Sequence, residues 1–315
     1  MATKNQTITN VTNHNQLTSQ DKTFYDRVLL ERLIPELQFY ADAMKKKLPK
    51  NEGRTTNFRR FNSLPATGLS LTEGLTPDGK NLDITVILAV VQQYGAFVTV
   101  TDLLQMTGID PVITEAAQLL GEQAALNTDL NIRATMATST NVHYAGGKTS
   151  IATIAATDVL TGTEVMKVVR NLKNKNARRF ADGFYHGIVS PDQALDLMKD
   201  PMWVDIGKYA NNTQLLKGEI GKMHGVRFVE STIGTTQAGA AGTPVHTAFI
   251  YGRDSYAVVD LENGNGKPSI IVKPNGSAGT EDPLNQRASV GWKNAFTSVI
   301  TQPNALVAVN SAASA

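Results

Sequence analysis

Several stretches of the sequence carry residue types that could do chemistry. Gly147-Lys148-Thr149 has the ending of a phosphate-binding loop, in which backbone amides cradle phosphate while the lysine reaches it and the hydroxyl meets a metal ion. That loop requires a glycine five positions before Gly147, where Val142 stands, and an apolar strand ahead of it, where a helical pattern runs instead. An ordinary loop is the better account. Gly276-Ser277-Ala278-Gly279 is similar to a nucleophile elbow, but Asn275 occupies the first required glycine and no apolar strand leads sharply into a helix there. The five histidines, His14, His143, His186, His224 and His246, are widely scattered. Without the spacing that gathers metal ligands, each reads as an isolated structural or surface residue. Glu281 and Asp282 are adjacent, so their carboxylates diverge, and Asp282-Pro283 reads as a turn. Arg170, Lys173, Lys175, Arg178 and Arg179 form the densest basic cluster. It suits a helix C-terminus, where cations complement the dipole, better than a phosphate contact. No aromatic residues are interleaved with it to stack on bases. The chain has no cysteine, which excludes disulfides, thiolate zinc sites and cysteine nucleophiles. These motifs assemble no catalytic, cofactor or metal site.

The elements that would position such residues are clearer. The organising one is Asp110 to about Thr138. Asp110 can cap a helix and Pro111 fits its first position. Val112, Ala116, Leu119, Leu126, Leu130 and Ala137 recur at helical spacing, which predicts an apolar stripe. Ala117, Gly121, Ala124 and Ala125 make another face small enough for a neighbouring layer to approach closely. Roughly 28 residues at about 1.5 Å each give a rod of about 42 Å, a spine across a domain. Before it, Asp21 to Lys47 reads as a helix broken or kinked at Pro35, with Lys45, Lys46 and Lys47 complementing its end.

Arg54 to Ser63 and Leu82 to Val100 are rich in Thr, Phe, Ile and Val, as strands are. They flank Leu64 to Asn81, a segment with Pro65, Gly68, Gly74, Pro77 and the turn signal Asp78-Gly79. The expectation is a long hairpin with a broad tip, apolar on both faces. A two-stranded ribbon cannot hide two apolar faces by itself, so it joins a larger sheet or lies on another molecule. After the spine come a glycine-containing loop (Asn141 to Ile151), a helix (Asp158 to Lys175), a strand (Phe184 to Val189) and a helix capped by Ser190-Pro191-Asp192. A short strand at Val226 to Val229, a Gly/Ala/Thr loop (Gly234 to Pro244) and strands at Val245 to Tyr251 and Tyr256 to Asp260 follow. From Val290 to Val309 no charged side chain appears after Lys293, so the closing strands must be paired and covered. The interleaving lacks a βαβ repeat, and the fold class is α+β.

At 315 residues the chain can build one large or two ordinary domains. Charged residues make up 18%, below the roughly 25% of an average soluble protein, as when partners cover much of a surface. A net charge of +2 argues against a dedicated nucleic-acid binder without excluding weak contact with DNA. No apolar run reaches the length of a membrane span and no apolar signal core opens the chain. The expectation is therefore a soluble protein made in the cytoplasm. Ala2 to Gln20 has Lys4 as its one fixed charge amid Thr, Asn and Gln, the composition of a flexible arm.

Thr56-Asn57-Phe58-Arg59-Arg60-Phe61, Leu71-Thr72-Glu73-Gly74 and Pro77-Asp78-Gly79 resemble the hairpin of a family of tailed-bacteriophage major capsid proteins, the one typified by the coat protein of phage N4. Leu120-Gly121-Glu122-Gln123-Ala124, Gly218-Glu219-Ile220-Gly221, His224-Gly225-Val226-Arg227-Phe228, Asp282-Pro283-Leu284-Asn285-Gln286-Arg287 and Val290-Gly291-Trp292-Lys293 continue the resemblance in order, from about Asp21 to Val309.

The resemblance implies a Hong Kong 97-type coat fold. Its parts would be an N-arm (1–20), an N-terminal helical segment (21–50), an extended E-loop hairpin (51–100), a peripheral domain with the spine helix (101–154), an axial domain (155–247) and return strands completing both (248–315). It implies a self-assembling shell of hexamers and pentamers around double-stranded DNA, and not an enzyme. Portal and scaffolding proteins, with or without a decoration protein, would be partners. Contacts between subunits would involve the E-loop tip, Leu69, Leu71, Glu73, Pro77 and Lys80. Weak DNA-facing contacts would involve Lys173, Lys175, Arg178 and Arg179. The location would be the virion shell, assembled in the host bacterial cytoplasm. No membrane and no cofactor are implied. The rival readings are an encapsulin-like compartment with an enzyme cargo, and a nucleotide-binding enzyme using the loop at Gly147.

Overall fold

The structure, a computed structural model, describes residues 11–12, 38–49, 51, 53–64, 73–74, 79, 81–108, 111–203, 219–261, 268–277 and 281–314. Most of the expected arm, the expected helix as far as Leu37, and most of the hairpin tip lie outside them.

In chain order the strands and helices begin with β1 (Val11–Thr12), β2 (Met44–Leu48), β3 (Thr55–Phe61), β4 (Ile84–Val90) and β5 (Gln92–Thr101). Next are α1 (Asp102–Thr107), α2 (Val112–Ala137), β6 (Val142–Tyr144), α3 (Gly162–Asn174), β7 (Tyr185–Val189) and α4 (Pro191–Lys199). Then follow β8 (Glu219–Met223), β9 (Val226–Glu230), β10 (Thr235–Ala238), β11 (Pro244–Tyr251) and β12 (Tyr256–Leu261). The last are β13 (Ser269–Lys273), β14 (Arg287–Ile300) and β15 (Leu306–Ala312). They form a six-stranded sheet in the order β1-β5-β14-β12-β2 with β13 added on β14, a seven-stranded sheet in the order β6-β15-β11-β7-β9-β8 with β10 added on β11, and the ribbon β3-β4. Helices and strands mix without a regular parallel repeat, the expected α+β class.

The first sheet is built on β14, whose Arg287–Phe296 run pairs antiparallel with Gln92–Thr101 along one side. On its other side it carries β13 and then β12. Gly95 lies opposite Lys293, and a Cβ there would stand 2.7 Å from the Trp292 carbonyl oxygen. Because that neighbour is backbone, it cannot swing away. Gly95→Ala is expected to cost about 1–3 kcal/mol, read as a lower denaturant midpoint at unchanged m.

The second sheet is the deeper one. Every residue of β15 is buried, paired to β11 on one side and β6 on the other. A charge-free strand can sit there because its two polar side chains find partners inside: Asn310 accepts from Thr247 at 2.7 Å and Ser311 from Gln193 at 2.8 Å. α3 and α4 cover this sheet. α3 is capped by Thr161, whose hydroxyl accepts from the Glu164 amide, and it buries Val165, Val168, Val169 and Leu172 at helical spacing. α4 is capped at Ser190 with Pro191 in its first turn, as the sequence predicts, and the cap is a full capping box closed by Gln193. Gly234 to Pro244, expected as a loop, instead contains β10 and a short 3-10 turn folded back on β11. Edge pairing outside the local sequence makes Thr235–Ala238 a strand.

Two further expectations fail in instructive ways. Gln38–Lys47, within the predicted N-terminal helix, is a turn followed by β2, which pairs in parallel with β12. The lysine run is the exposed middle of an edge strand, where lysines also discourage further pairing. In α2, Pro111 is the N-cap residue rather than the first helical one, and Asp110 lies outside the described residues. Its buried residues are Ala116, Leu120, Ala124, Thr128, Ile132 and Met136, with Asp129 beside them. Leu119, placed on the predicted stripe, is exposed. The N-terminal half of α2 packs on Val290 and Trp292 of the first sheet. Ile132 and Met136 enter a core with Phe39, Phe249, Tyr256, Phe296 and Leu306, drawn from both sheets. One helix serving two partners has no single straight stripe.

Candidate assembly surface

The ribbon β3-β4 pairs Thr55 with Val90 through to Phe61 with Ile84. The pleat puts alternate residues on opposite faces. Phe58 and Ala89 point into the body, against Leu48, Val91 and Val259. The Arg60 guanidinium reaches the Thr301 carbonyl oxygen at 3.4 Å. The other face carries Phe61, Ile84, Val86 and Leu88, all exposed, with Val86 at 56% and Leu88 at 59%. Leu64 and Leu82 continue it toward the tip. Thus the sequence expectation of two apolar faces resolves into one covered by the chain itself and one left bare. Of the predicted tip residues, Glu73 is exposed in a turn with Gly74, which takes φ +81°. Leu69, Leu71, Pro77 and Lys80 lie outside the described residues.

A second bare apolar area lies on the first sheet. Ile270, Ile271 and Val272 of β13 are exposed, and Phe97 is 73% exposed. Tyr94, Ala96, Phe97, Ile271 and Trp292 line an open groove of about 520 Å³, with Lys273 and Lys293 at it. The Trp292 indole donates to Gln123 at 3.0 Å, which fixes the ring against α2.

The residues singled out for chemistry are placed as follows. Lys148 lies 3.8 Å from Asp158, at the end of a 3-10 turn. It is an ion-pairing residue of a loop. Ser277 follows a turn, and Asp282 accepts from the Arg287 amide at 2.8 Å. Lys173, Lys175, Arg178 and Arg179 are exposed around the end of α3, and Arg179 stacks its guanidinium 5.5 Å from the Tyr185 ring centre. No group of three or more His, Asp or Glu side chains among the described residues is arranged to hold a metal ion. No helix among them is long and apolar enough to cross a membrane.

The histidines are not all isolated, which corrects the sequence reading. His143 Nε2 lies 2.6 Å from Glu164 Oε2, and Lys167 holds the other Glu164 oxygen at 2.8 Å. Burial pushes the Glu164 carboxyl up, but Lys167 and His143 outweigh it and hold it below its ordinary value. His246 Nε2 is 3.5 Å from Asp192.

His186 belongs to a junction no motif announces. The turn Gln38–Ala43 is wedged between the two sheets and α2. Its Phe39 and Tyr40 amides donate to Asp129 of α2 at 3.1 and 2.9 Å. The Tyr40 hydroxyl donates to Asp260 of β12 at 3.1 Å. The Tyr256 hydroxyl donates to the Phe39 carbonyl oxygen at 2.8 Å. Asp42 accepts from the Tyr251 hydroxyl at 2.9 Å and lies 2.6 Å from His186 Nδ1. Burial pushes the Asp129 carboxyl up in spite of its backbone donors. Burial and Asp260 push the Tyr40 hydroxyl up to about 12. The sequence signal for this junction is faint: Asp129 is a lone acid among Leu126, Leu130 and Ile132.

Comparison with known proteins gives this architecture its class. The fold matches solved capsids of bacteriophages. The capsid of cyanophage P-SCSP1u aligns at TM-score 0.70 and 14% identity over 95% of each chain. That of Ralstonia phage GP4 aligns at 0.70 and 14% over 94% of this chain and 96% of the other. The cyanophage Pam1 capsid aligns at 0.70 and 16%, over 94% and 97%. At such identities the likeness is one of fold, the Hong Kong 97-type α+β coat fold. The profile of the family described as "Phage capsid protein" matches residues 85–309, and the chain belongs to that family. No curated protein matches it in sequence.

Proposed function

We propose that this chain is the major coat subunit of a tailed phage of the N4-like branch, assembling as hexamers and pentamers into the icosahedral head around double-stranded DNA. The observation that carries the reading is the bare apolar face of the ribbon β3-β4, a hydrophobic projection of the kind that marks an interaction surface. In this reading residues 51–100 are the E-loop and lie across a neighbouring subunit, with Leu69, Leu71, Glu73, Pro77 and Lys80 at the contact. Residues 101–154 are the peripheral domain with the spine helix, 155–247 the axial domain, and 248–315 the return strands that complete both. Residues 1–20 are an arm beneath the shell. Each contact is modest, and a closed shell multiplies it through avidity.

Portal and scaffolding proteins, with or without a decoration protein, complete the head. DNA needs no specific site, since a shell contains it while counterions balance most of its charge. Lys173, Lys175, Arg178 and Arg179 are the exposed cations offered for non-specific contact. The protein is a building block, with no reaction assigned to it, and it is assembled in the bacterial cytoplasm.

Electron microscopy of the expressed protein, alone and with its scaffold, tests this. Closed particles are expected. Deleting Gly68 to Gly79 is expected to leave a folded subunit that forms none. Normal particles from the deletion variant, or small monodisperse oligomers from the intact chain under every condition, would count against the reading. The nucleic-acid content of particles grown in infected cells separates a phage head from a compartment with enzyme cargo.

A further inference from the structure

His186 stands on β7 between two carboxylates that come from different parts of the fold. Its Nδ1 is 2.6 Å from Asp42 Oδ2, on the junction turn that leads into the first sheet. Its Nε2 is 3.0 Å from Asp182 Oδ2, in the loop before β7. Phe180 stacks on the imidazole, with ring centres 3.9 Å apart and planes 10° from parallel. Among the described residues, the other groups facing this cluster are Arg227 of β9, 4.0 Å from Asp182, and the Tyr251 hydroxyl of β11, which donates to Asp42. Tyr256 of β12 lies edge-on to Tyr251, with ring centres 5.4 Å apart.

A carboxylate only accepts hydrogen bonds. An imidazole that meets one at each ring nitrogen must donate from both, and only the imidazolium carries two N–H groups. The neutral ring keeps one bond and turns a lone pair toward the other carboxylate. We propose that His186 is a proton-operated clasp between the two sheets: protonated, it seats the turn Gln38–Ala43 on the second sheet, and on losing its proton it releases that turn.

The proton balance follows from the surroundings. Burial pushes the His186 pKa down, but Asp42 and Asp182 outweigh it and hold it above its ordinary 6.5. Burial pushes Asp42 and Asp182 up, but the hydrogen bonds and positive charges around them hold both below the ordinary 3.8. A raised histidine pKa adds stability that is whole below 6.5 and disappears as pH climbs through the raised value. The lowered carboxylates add stability that is whole above 3.8 and disappears as pH falls through theirs. The clasp is tightest between those two pH values and opens on the alkaline side.

This inference concerns the subunit and stands whether or not shells form. The test is hydrogen exchange on the full chain, followed at the amides of Phe39 to Met44 and corrected for intrinsic rates. The opening equilibrium of these amides is expected to rise by up to tenfold per pH unit from 6.5 until His186 is neutral. In His186→Gln, which has one amide donor group and no titration in this range, the same amides are expected to open more readily at pH 6 and to show no pH dependence from 6 to 9. In the unmodified chain, proton NMR should show His186 titrating above 6.5. A His186 that titrates at or below 6.5, or junction amides whose opening is the same at pH 6 and 9, overturns the proposal even if the glutamine variant does not fold.

Discussion

The double substitution Val86→Asp/Leu88→Asp is expected to abolish closed particles while leaving the subunit folded. Both side chains stand on the bare ribbon face and are more than half exposed, so the isolated subunit loses little. Surface changes of this kind usually fall within about 0.5 kcal/mol. In an assembly the balance reverses. Fully covering an aliphatic side chain contributes about 1.5–3 kcal/mol, and each carboxylate trapped there without a partner costs several kcal/mol. Two positions together remove more than about 5 kcal/mol per contact, over a thousandfold in affinity, at every repeat of the shell. Sedimentation velocity should show subunits or capsomers alone, with a melting temperature within a few degrees of the parent. Particles at the parental yield would show that this face stays bare.

Phe39→Ala should be the most damaging change to the subunit itself. Phe39 is 1% exposed and meets Phe249 edge-to-face, with ring centres 5.9 Å apart. It anchors the turn whose amides use Asp129 and whose carbonyl holds Tyr256. Removing the ring leaves a cavity among residues of both sheets and α2, and a loss of about 3–5 kcal/mol is expected. Chemical denaturation measures it. Because the ring bridges the sheets, the variant is also expected to unfold in two steps, departing from a single cooperative transition. A loss below about 1 kcal/mol would mean that the turn is not the link described above.

What the sequence disclosed divides along physical lines. Elements set by local rules were legible. The cap at Ser190 with Pro191, the helix of α3 and the strand-forming composition of β4 are each set within a few residues. The burial of the closing strands was legible too, because a run without charge has few other places to go. Pairing decided by distant residues was not legible. Met44–Leu48 becomes a strand because β12, more than two hundred residues later, offers an edge. Local lysines and alanines suggested a helix instead. The junction was hidden for the same reason: Asp42 and His186 are 144 residues apart. The bare ribbon face was half legible. Its apolarity could be read from Phe61, Ile84, Val86 and Leu88, but the face that would be bare depended on where Leu48 and Val259 would stand.

The burial pattern of α2 has a mechanical consequence. Its contacts at every fourth residue, from Ala116 to Met136, advance about 40° per step and so wind about 200° around the axis. A rod gripped along such a path behaves like a threaded bolt. It cannot slide without turning, and it cannot turn at one end while the other is held without twisting along its length. The same rod therefore meets the first sheet near Ala116 and the core shared by both sheets near Met136, so each end is held by a different set of side chains.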